Sequence, residues 1–317
     1  MDVLNSAAIK ARAREIGFDA CGIAPAADLP ELKFFPEWLA RGYAGTMQYL
    51  TRSAGRRADV RQVLQSARSV IVTATNYNTA RPYSIESRDP ERAHVARYAW
   101  GDDYHVVLLR RLKALLAWMR EISQVPFEAR AYVDTGPIQE RVYAQHAGIG
   151  WIGKNTCVIS PTLGSWTLLG EILCSLPLEP DEPAFDRCGT CTLCLEACPT
   201  QAIEAPGVLN ATRCISYLTI ERRGPIPEPL RPAIGTHVYG CDICQEVCPW
   251  NGAAPVSPDR AWQPRPVWAS ATVSALSALT DQQLTEALEG SAMSRATTAG
   301  LRRNVHVAGQ NAPALSC

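Results

Sequence analysis

Charge imbalance is the first thing this 317-residue sequence lacks: 31 lysines and arginines face 31 aspartates and glutamates, for a formal net charge of zero. That excludes a uniformly basic surface gripping nucleic acid at any sequence, while leaving room for a local basic patch. Long apolar runs are missing too. No stretch reaches the roughly 18 residues that a membrane span requires, so no membrane association is expected. The amino terminus, MDVLNSAAIKARAREIGF, has an acidic second residue, helical spacing and no apolar core of the kind a secretory signal carries. The Arg-Arg pairs at 56–57, 110–111, 222–223 and 302–303 are internal, and none reads as a twin-arginine signal. The expectation is a cytoplasmic protein. Also absent are a G-x-G-x-x-G after a strand and a Walker loop, so a Rossmann nicotinamide or flavin site has no direct support. Apart from its doubled cysteine sets the chain has no internal repeat.

Cysteine, in contrast, is abundant. In a cytoplasmic chain, twelve cysteines point to metal ligation rather than disulfides. CGTCTLCLEACPT (188–200) has the spacing C-x2-C-x2-C-x3-C followed by proline, and CDICQEVCPW (241–250) is a second set closing on Cys-Pro. In two-cluster ferredoxin modules the cysteine before the proline ligates the other cluster. Cys188, Cys191 and Cys194 would then hold one [4Fe–4S] cluster with Cys248, and Cys241 and Cys244 the other with Cys198. The eighth ligand is missing from the second set, and Cys214 in RCISYLTIERRG is the natural candidate. Structural zinc is the bland alternative, but zinc sites favour paired C-x2-C knuckles without reciprocal Cys-Pro endings. Cys21, Cys157, Cys174 and Cys317 have no motif spacing and read as core cysteines.

Residues 5–16 read as a helix ending at Gly17, followed by a strand-like DACGIA. SVIVTATNY (69–77) is a buried strand. A helix starts after Asp102 or Asp103, with Val106 and Leu108 onward supplying its buried stripe. FEARAYVDTGPIQERVYAQHAGIG reads as a strand ending at Asp134, a turn, and a helix with Pro137 in its first turn and Gly148 at its end. TCVIS and SWTLLGEILCSL add two strands. Such alternation predicts a mixed or largely parallel α/β (α+β) domain over 1–180. A Pro- and acid-rich link leads to a ferredoxin-like domain over 181–255 and then a short helical tail over 256–317, where Thr280 and Gln283 form a capping box. GIGWIGKN (148–155) is a tight turn, with or without a ligand beside its backbone.

YVDTGPIQERVYAQHAGIGWIGKNT (132–156), RYAWGDDYHVVLLRRL (97–112) and the eight-cysteine arrangement together resemble the epoxyqueuosine reductases, which act at the last step of queuosine synthesis in tRNA. The resemblance runs from about residue 5 to 250 and continues weakly into GLRRNVHVAGQN; the longer C-terminal helical extension usual in that family is largely missing. It implies a cobalamin on the first domain, beside two [4Fe–4S] clusters, as in the similar reductive dehalogenases. It also implies tRNA bearing epoxyqueuosine as substrate, an external low-potential donor of flavodoxin or ferredoxin type, and a monomer.

Removing an epoxide oxygen as water takes two electrons and two protons, hence a strong reductant on one side and a general acid on the other. With the resemblance, Asp134 is the candidate acid, at a strand-to-helix edge, with a pKa expected to be raised by burial; otherwise it caps a helix. Asp103, Tyr104 and His105 begin a helix whose first turn would face the same cleft, His105 as proton relay, cofactor-tuning group or mere cap. Arg141 would hold a substrate or a corrin carboxamide, or is a surface arginine. By resemblance alone, Arg57, Arg97, Tyr98, Lys154, Asn155 and Ser216 match positions that pack cobalamin or its nucleotide tail. For tRNA the basic clusters are TRSAGRRADVR (51–61), Arg222–Arg223 and Arg302–Arg303, with Arg222 and Arg223 favoured because they follow Cys214. Two alternatives stand beside this reading: a reductive dehalogenase acting on a small organohalide, and a noncatalytic electron carrier, which would need no acid at 134.

Overall fold

The computed structural model describes residues 4–312. Its centre is a four-stranded sheet of β1 (Ala20–Pro25), β2 (Ser69–Asn76), β3 (Ala129–Tyr132) and β4 (Thr167–Cys174), in the order β1-β2-β4-β3. Every neighbouring pair is antiparallel: the expected α/β (α+β) class holds, but the strands are neither mixed nor largely parallel in direction. The physical reason is that β2 is buried along its whole length. Helices cover both faces of the sheet, and burial on both faces produces an unbroken apolar run whatever the strand direction.

One face packs on α1 (Ser6–Ile16) and α2 (Tyr104–Ile122), where Ile9, Ala13, Leu108, Leu112, Leu115 and Met119 meet Ile71 and Ile172. Asp103 caps α2 by accepting from the His105 amide, and this sets the helix phase. The buried stripe therefore begins at Val107; Val106, expected inside, is 67% exposed. The opposite face packs on α3 (Glu140–His146), whose Val142 and Tyr143 lie among Val70, Val72 and Leu173. This helix lies flush on the sheet because Gly22 has no side chain; a Cβ there would sit 1.9 Å from the Ala147 carbonyl oxygen. β3 ends at Tyr132 and α3 starts at Glu140, so residues 133–139 form a loop and Pro137 lies outside the helix it was expected to open. Gly136 lets that loop fold back onto the Tyr132 ring, where a Cβ would stand 2.7 Å away.

Beyond the sheet, a hairpin of Trp151–Ile152 with Val158–Ile159 reaches toward the cysteine-rich segment. There the short helices Leu193–Glu196 and Ile243–Glu246 lie inside the two Cys sets. The C-terminal segment is no loose tail. Residues 254–262 return to the first domain, with Asn76 donating to the Pro255 carbonyl and Trp262 buried in the α1/α2 core. α4 (Asp281–Leu288) carries the expected capping box, and α5 (Thr297–Asn311) packs Leu301, Val305 and Ala308 against Val95, Ala99, Val238 and Tyr239. Cys21 and Cys174 are buried in the sheet, whereas Cys317 lies outside the described residues. Among the described residues no helix is long and apolar enough to cross a membrane.

Asn304 ties α5 to the rest, its fully buried amide donating to the carbonyls of Thr219 (2.7 Å) and Val238 (2.9 Å). Asn304→Ala leaves both carbonyls without that donor, and urea unfolding is expected to show a loss of about 1–3 kcal/mol. An unchanged midpoint would mean that α5 does not unfold together with the core.

Candidate active site

The 133–139 loop presents Asp134 in the left-handed backbone region, at φ 54°, a conformation that Asp adopts more readily than most residues. His105, in the first turn of α2, bridges two carboxylates. Its Nδ1 lies 2.7 Å from Asp103 Oδ1 and its Nε2 3.3 Å from Asp134 Oδ2. Burial pulls the His105 pKa down, but the bonds to Asp103 and Asp134 outweigh it and raise the value to about 9. For Asp134, burial pushes upward, and the bonds from His105 and Tyr104 with the charges of His105 and Arg141 win, holding the carboxyl below its ordinary value. The expected elevation of Asp134 is thus reversed. Its side chain is 61% exposed, but protein surrounds most of that opening, so it faces a cleft rather than bulk solvent. At neutral pH the proton rests on the imidazole, one hydrogen bond behind the carboxylate that would deliver it.

Two cavities meet at this point. The larger, about 660 Å³, has an apolar wall of Phe34, Phe35, Trp38, Met47 and Leu50 facing Ile138, Val142 and Ile152. The smaller, about 230 Å³, is lined by Tyr98, Tyr104, Cys157 and Gln245 among others. Asp134, Glu140 and Arg141 line both. Arg57 lines the larger cavity, held by bonds to the Ile138 carbonyl (2.8 Å) and Ser53 Oγ (3.0 Å). Arg141 is exposed and donates to the Thr156 carbonyl at 3.0 Å. A long apolar wall with guanidinium groups at its edge fits a large macrocycle rimmed by carboxamides, the chemistry of a corrin.

The cysteines fall into two groups. Cys188, Cys191, Cys194 and Cys248 line one small cavity of about 50 Å³. Cys198, Cys214, Cys241 and Cys244 stand close enough for their charges to act on one another. Burial, then Cys248, Cys188 and Cys191, push Cys194 up to about 11, so this quartet cannot ionise together without a compensating positive charge. An iron cluster supplies one. The Trp151 indole N–H points at Cys188 Sγ (3.4 Å) and the Ala202 amide at Cys198 Sγ (3.2 Å), donors suited to cluster sulfur. The donor set fits two cubanes. Cys157, read from sequence as a core cysteine, is instead half-buried at the hairpin tip, a free thiol beside that of Cys244.

Several other candidates lie elsewhere. Arg97 is 1% exposed, donates to Thr79, Arg81 and Pro82, and lies against the rings of Trp100, Tyr83 and Trp166; it is a core anchor and lines neither cavity. Lys154 donates to the carbonyls of Gly189 (2.6 Å) and Cys191 (2.8 Å), and Asn155 to that of Cys244 (3.1 Å), so both hold cysteine loops. Ser216 bonds to Cys214. Arg222 donates to Pro225, Arg223 to Arg295 and Ala296, Arg303 to Leu218, Arg222 and Gly224, and Arg302 pairs with Asp281. Arg223 and Arg303 brace the C-terminal helices against 218–225, Arg302 ties α5 to α4, and Arg222 closes a local turn. By contrast Arg52 and Arg56 are exposed, on short helices that also bring Leu50 and Arg57 to the larger cavity. Sequence reasoning also passed over Glu140 and Glu171; a lone acid inside the apolar run LLGEILC was the available signal.

Residues 57–135 match the family model for epoxyqueuosine reductase QueG, DUF1730, and residues 187–251 the model for a 4Fe-4S double cluster binding domain. The first span contains Asp103, His105 and Asp134, and the second all eight cysteines. An epoxyqueuosine reductase from Gloeobacter violaceus is 45% identical over 310 residues, 96% of this chain and 95% of the relative. One from Synechocystis is 43% identical, over 89% and 98% of the two chains. Among solved structures, an epoxyqueuosine reductase with an epoxyqueuosine-modified tRNA-Tyr stem loop superposes with a TM-score of 0.85 at 31% identity, covering 96% of this chain and 80% of that one. The enzyme from Streptococcus thermophilus gives 0.84 at 32% identity over the same shares.

His105 is expected to titrate near pH 9, followed through its ring nitrogens by NMR with labelled histidine. The imidazolium is present below that pH and lost as the pH rises through it. Asp103→Asn removes a raising partner and is expected to move the titration down, toward the ordinary value of about 6.5. An unmoved titration would show that Asp103 does not hold the proton on the ring.

Proposed function

Because the chain belongs to the epoxyqueuosine reductase family, we propose that it reduces epoxyqueuosine to queuosine in the anticodon loop of tRNA, with a cobalamin and two [4Fe–4S] clusters. The observation that carries the reading is the Asp103–His105–Asp134 chain, which ends where an apolar cavity meets a smaller one lined by Gln245, between Cys244 and Cys248. Overall, the epoxide takes up two electrons and two protons and leaves an alkene and water.

Cobalamin held along the wall of Phe34, Trp38 and Leu50 would supply the strong nucleophile that opens the carbon–oxygen bond. Arg57 and Arg141 would meet its polar rim. Cys188, Cys191, Cys194 and Cys248 would hold one cluster, and Cys198, Cys214, Cys241 and Cys244 the other, for electrons supplied singly by a low-potential flavodoxin or ferredoxin. Asp134 delivers to the departing oxygen the proton that it draws from the His105 imidazolium, whose charge Asp103 sustains. Tyr98 and Tyr104 line the smaller cavity beside Asp134. The exposed Arg52 and Arg56, on the short helices that carry Leu50 and Arg57, would offer phosphate contacts to a splayed anticodon loop. A monomer acting in the cytoplasm completes the reading. A plain electron carrier would have no use for an acid relay beside a large cavity, and nothing in the cavity favours an organohalide.

Anaerobic protein loaded with cobalamin and a reductant should remove one oxygen from epoxyqueuosine in tRNA, read by nucleoside mass spectrometry. Asp134→Asn should lower the rate about 10²–10⁴-fold, the usual worth of general acid catalysis, with cobalamin still bound. Failure of the wild type would sink the assignment; an active Asp134→Asn variant would sink the acid.

The cysteine grouping has its own test. Cys248→Ala and Cys191→Ala are expected to perturb the same electron paramagnetic resonance signal, and Cys198→Ala and Cys241→Ala the other. A Cys248 variant that alters the Cys241 signal would refute crossed ligation.

A further inference from the structure

Glu171 sits in the middle of β4, paired in register with Val72 on one side and Tyr132 on the other, and is 0% exposed. Side chains alternate along a strand, so it shares a face with Leu169 and Leu173, the face that α3 covers. The first residue of α3 is Glu140, and the two carboxyl groups meet. Neither oxygen of Glu171, nor Oε1 of Glu140, receives a hydrogen bond from any donor among the described residues. Arg141 is the nearest cation in sequence, but its Nη1 is engaged with the Thr156 carbonyl. The other ionisable groups that act on the pair are Asp134 from the loop, Tyr104 from α2 and Arg57 from the short helix Ala54–Ala58, which holds a cation on the cavity side of Glu140; Tyr132 lies opposite Glu171 on β3.

Two carboxyl groups in contact, buried and without donors, cannot both be ionised. A single proton between them turns repulsion into an O–H···O hydrogen bond. Burial and the charge of Asp134 push Glu140 up, and burial with the neighbouring Glu140 pushes Glu171 up as well. Glu140 also stands beside Asp134 and lines both cavities with it.

We propose that Glu140 and Glu171 share one proton and form an internal reservoir that reloads Asp134 after its first donation. The delivery half rests on the epoxide reading above, in which two protons are consumed per turnover while the His105–Asp134 couple stores one. The transfer is a proton moving from the carboxyl pair to the Asp134 carboxylate; the pair is refilled from solvent through the cavity, and no electrons move.

The test begins on the resting wild type, without tRNA, by infrared difference spectroscopy in H₂O and D₂O at neutral pH. The carbonyl stretch of a protonated carboxyl, shifted by deuteration, is expected; its absence would overturn the proposal without any variant. The band should disappear in both Glu171→Gln and Glu140→Gln, and its survival in both would overturn the assignment to this pair. Single-turnover queuosine formation should then slow about 10²-fold in Glu171→Gln, within the span of general acid effects, with Asp134 unaltered. Wild-type rates in a variant that has lost the band would overturn delivery. A wild type that shows the band yet makes no queuosine would overturn the reaction reading and delivery together, and leave the shared proton standing.

Discussion

Three hydrogen bonds from two adjacent side chains hold the redox half of this molecule against the catalytic half. Lys154 grips the loop of the first cysteine set through the Gly189 and Cys191 carbonyls, and Asn155 grips the second through Cys244. Both stand at the tip of one short hairpin, so one turn reaches both cysteine sets, the second of which is also held by Ser84 and Ser165 through Glu246 and Gln245. The hairpin is tight because Gly150 and Gly153 let its strands close; a Cβ on either would fall within 2.4 Å of Ile159 atoms. Through Thr156 the same turn holds Arg141, and with it the wall of the active cavity. Loosening this contact would separate the electron source from the place where the electrons are needed.

The proton side depends on a different device. A carboxyl group kept protonated by an apolar pocket is one way to build a general acid, and that was the expectation for Asp134. The structure uses a relay instead. His105 is charged because Asp103 lies 2.7 Å from its other nitrogen, and a carboxylate facing a stored proton can serve as donor without a raised pKa of its own. The exposure of Asp134 then presents no difficulty, because the low-dielectric store lies behind it.

The arginine-rich strings show how misleading a charge pattern is when read alone. Arg97, Arg223, Arg302 and Arg303 are bound to carbonyls or carboxylates of their own chain. Five donors on a flat, weakly hydrated group make arginine an effective clamp for main-chain oxygens, and the C-terminal helices are fastened that way. The exposed pair Arg52 and Arg56, on the short helices that carry Leu50 and Arg57, looks no different in sequence.

Motif spacing determined the two cysteine groups, because a tight x2 loop brings only certain thiols together and leaves one for the neighbouring set; even Cys214 followed from counting. Helix caps at Asp103 and Thr280 and the candidacy of Asp134 were also legible, since they rest on local chemistry or on strings long enough to be distinctive. Strand direction was not, because burial on both faces erases the pattern that would reveal it. Nor was the assignment of Lys154 and Asn155 to the cysteine loops, which depends on carbonyls 35 to 89 residues away in the chain. The proton relay and the facing of Glu140 by Glu171 were likewise decided by tertiary structure alone: the pKa of an acid is set by the groups packed around it, and those come from four separate elements of the fold.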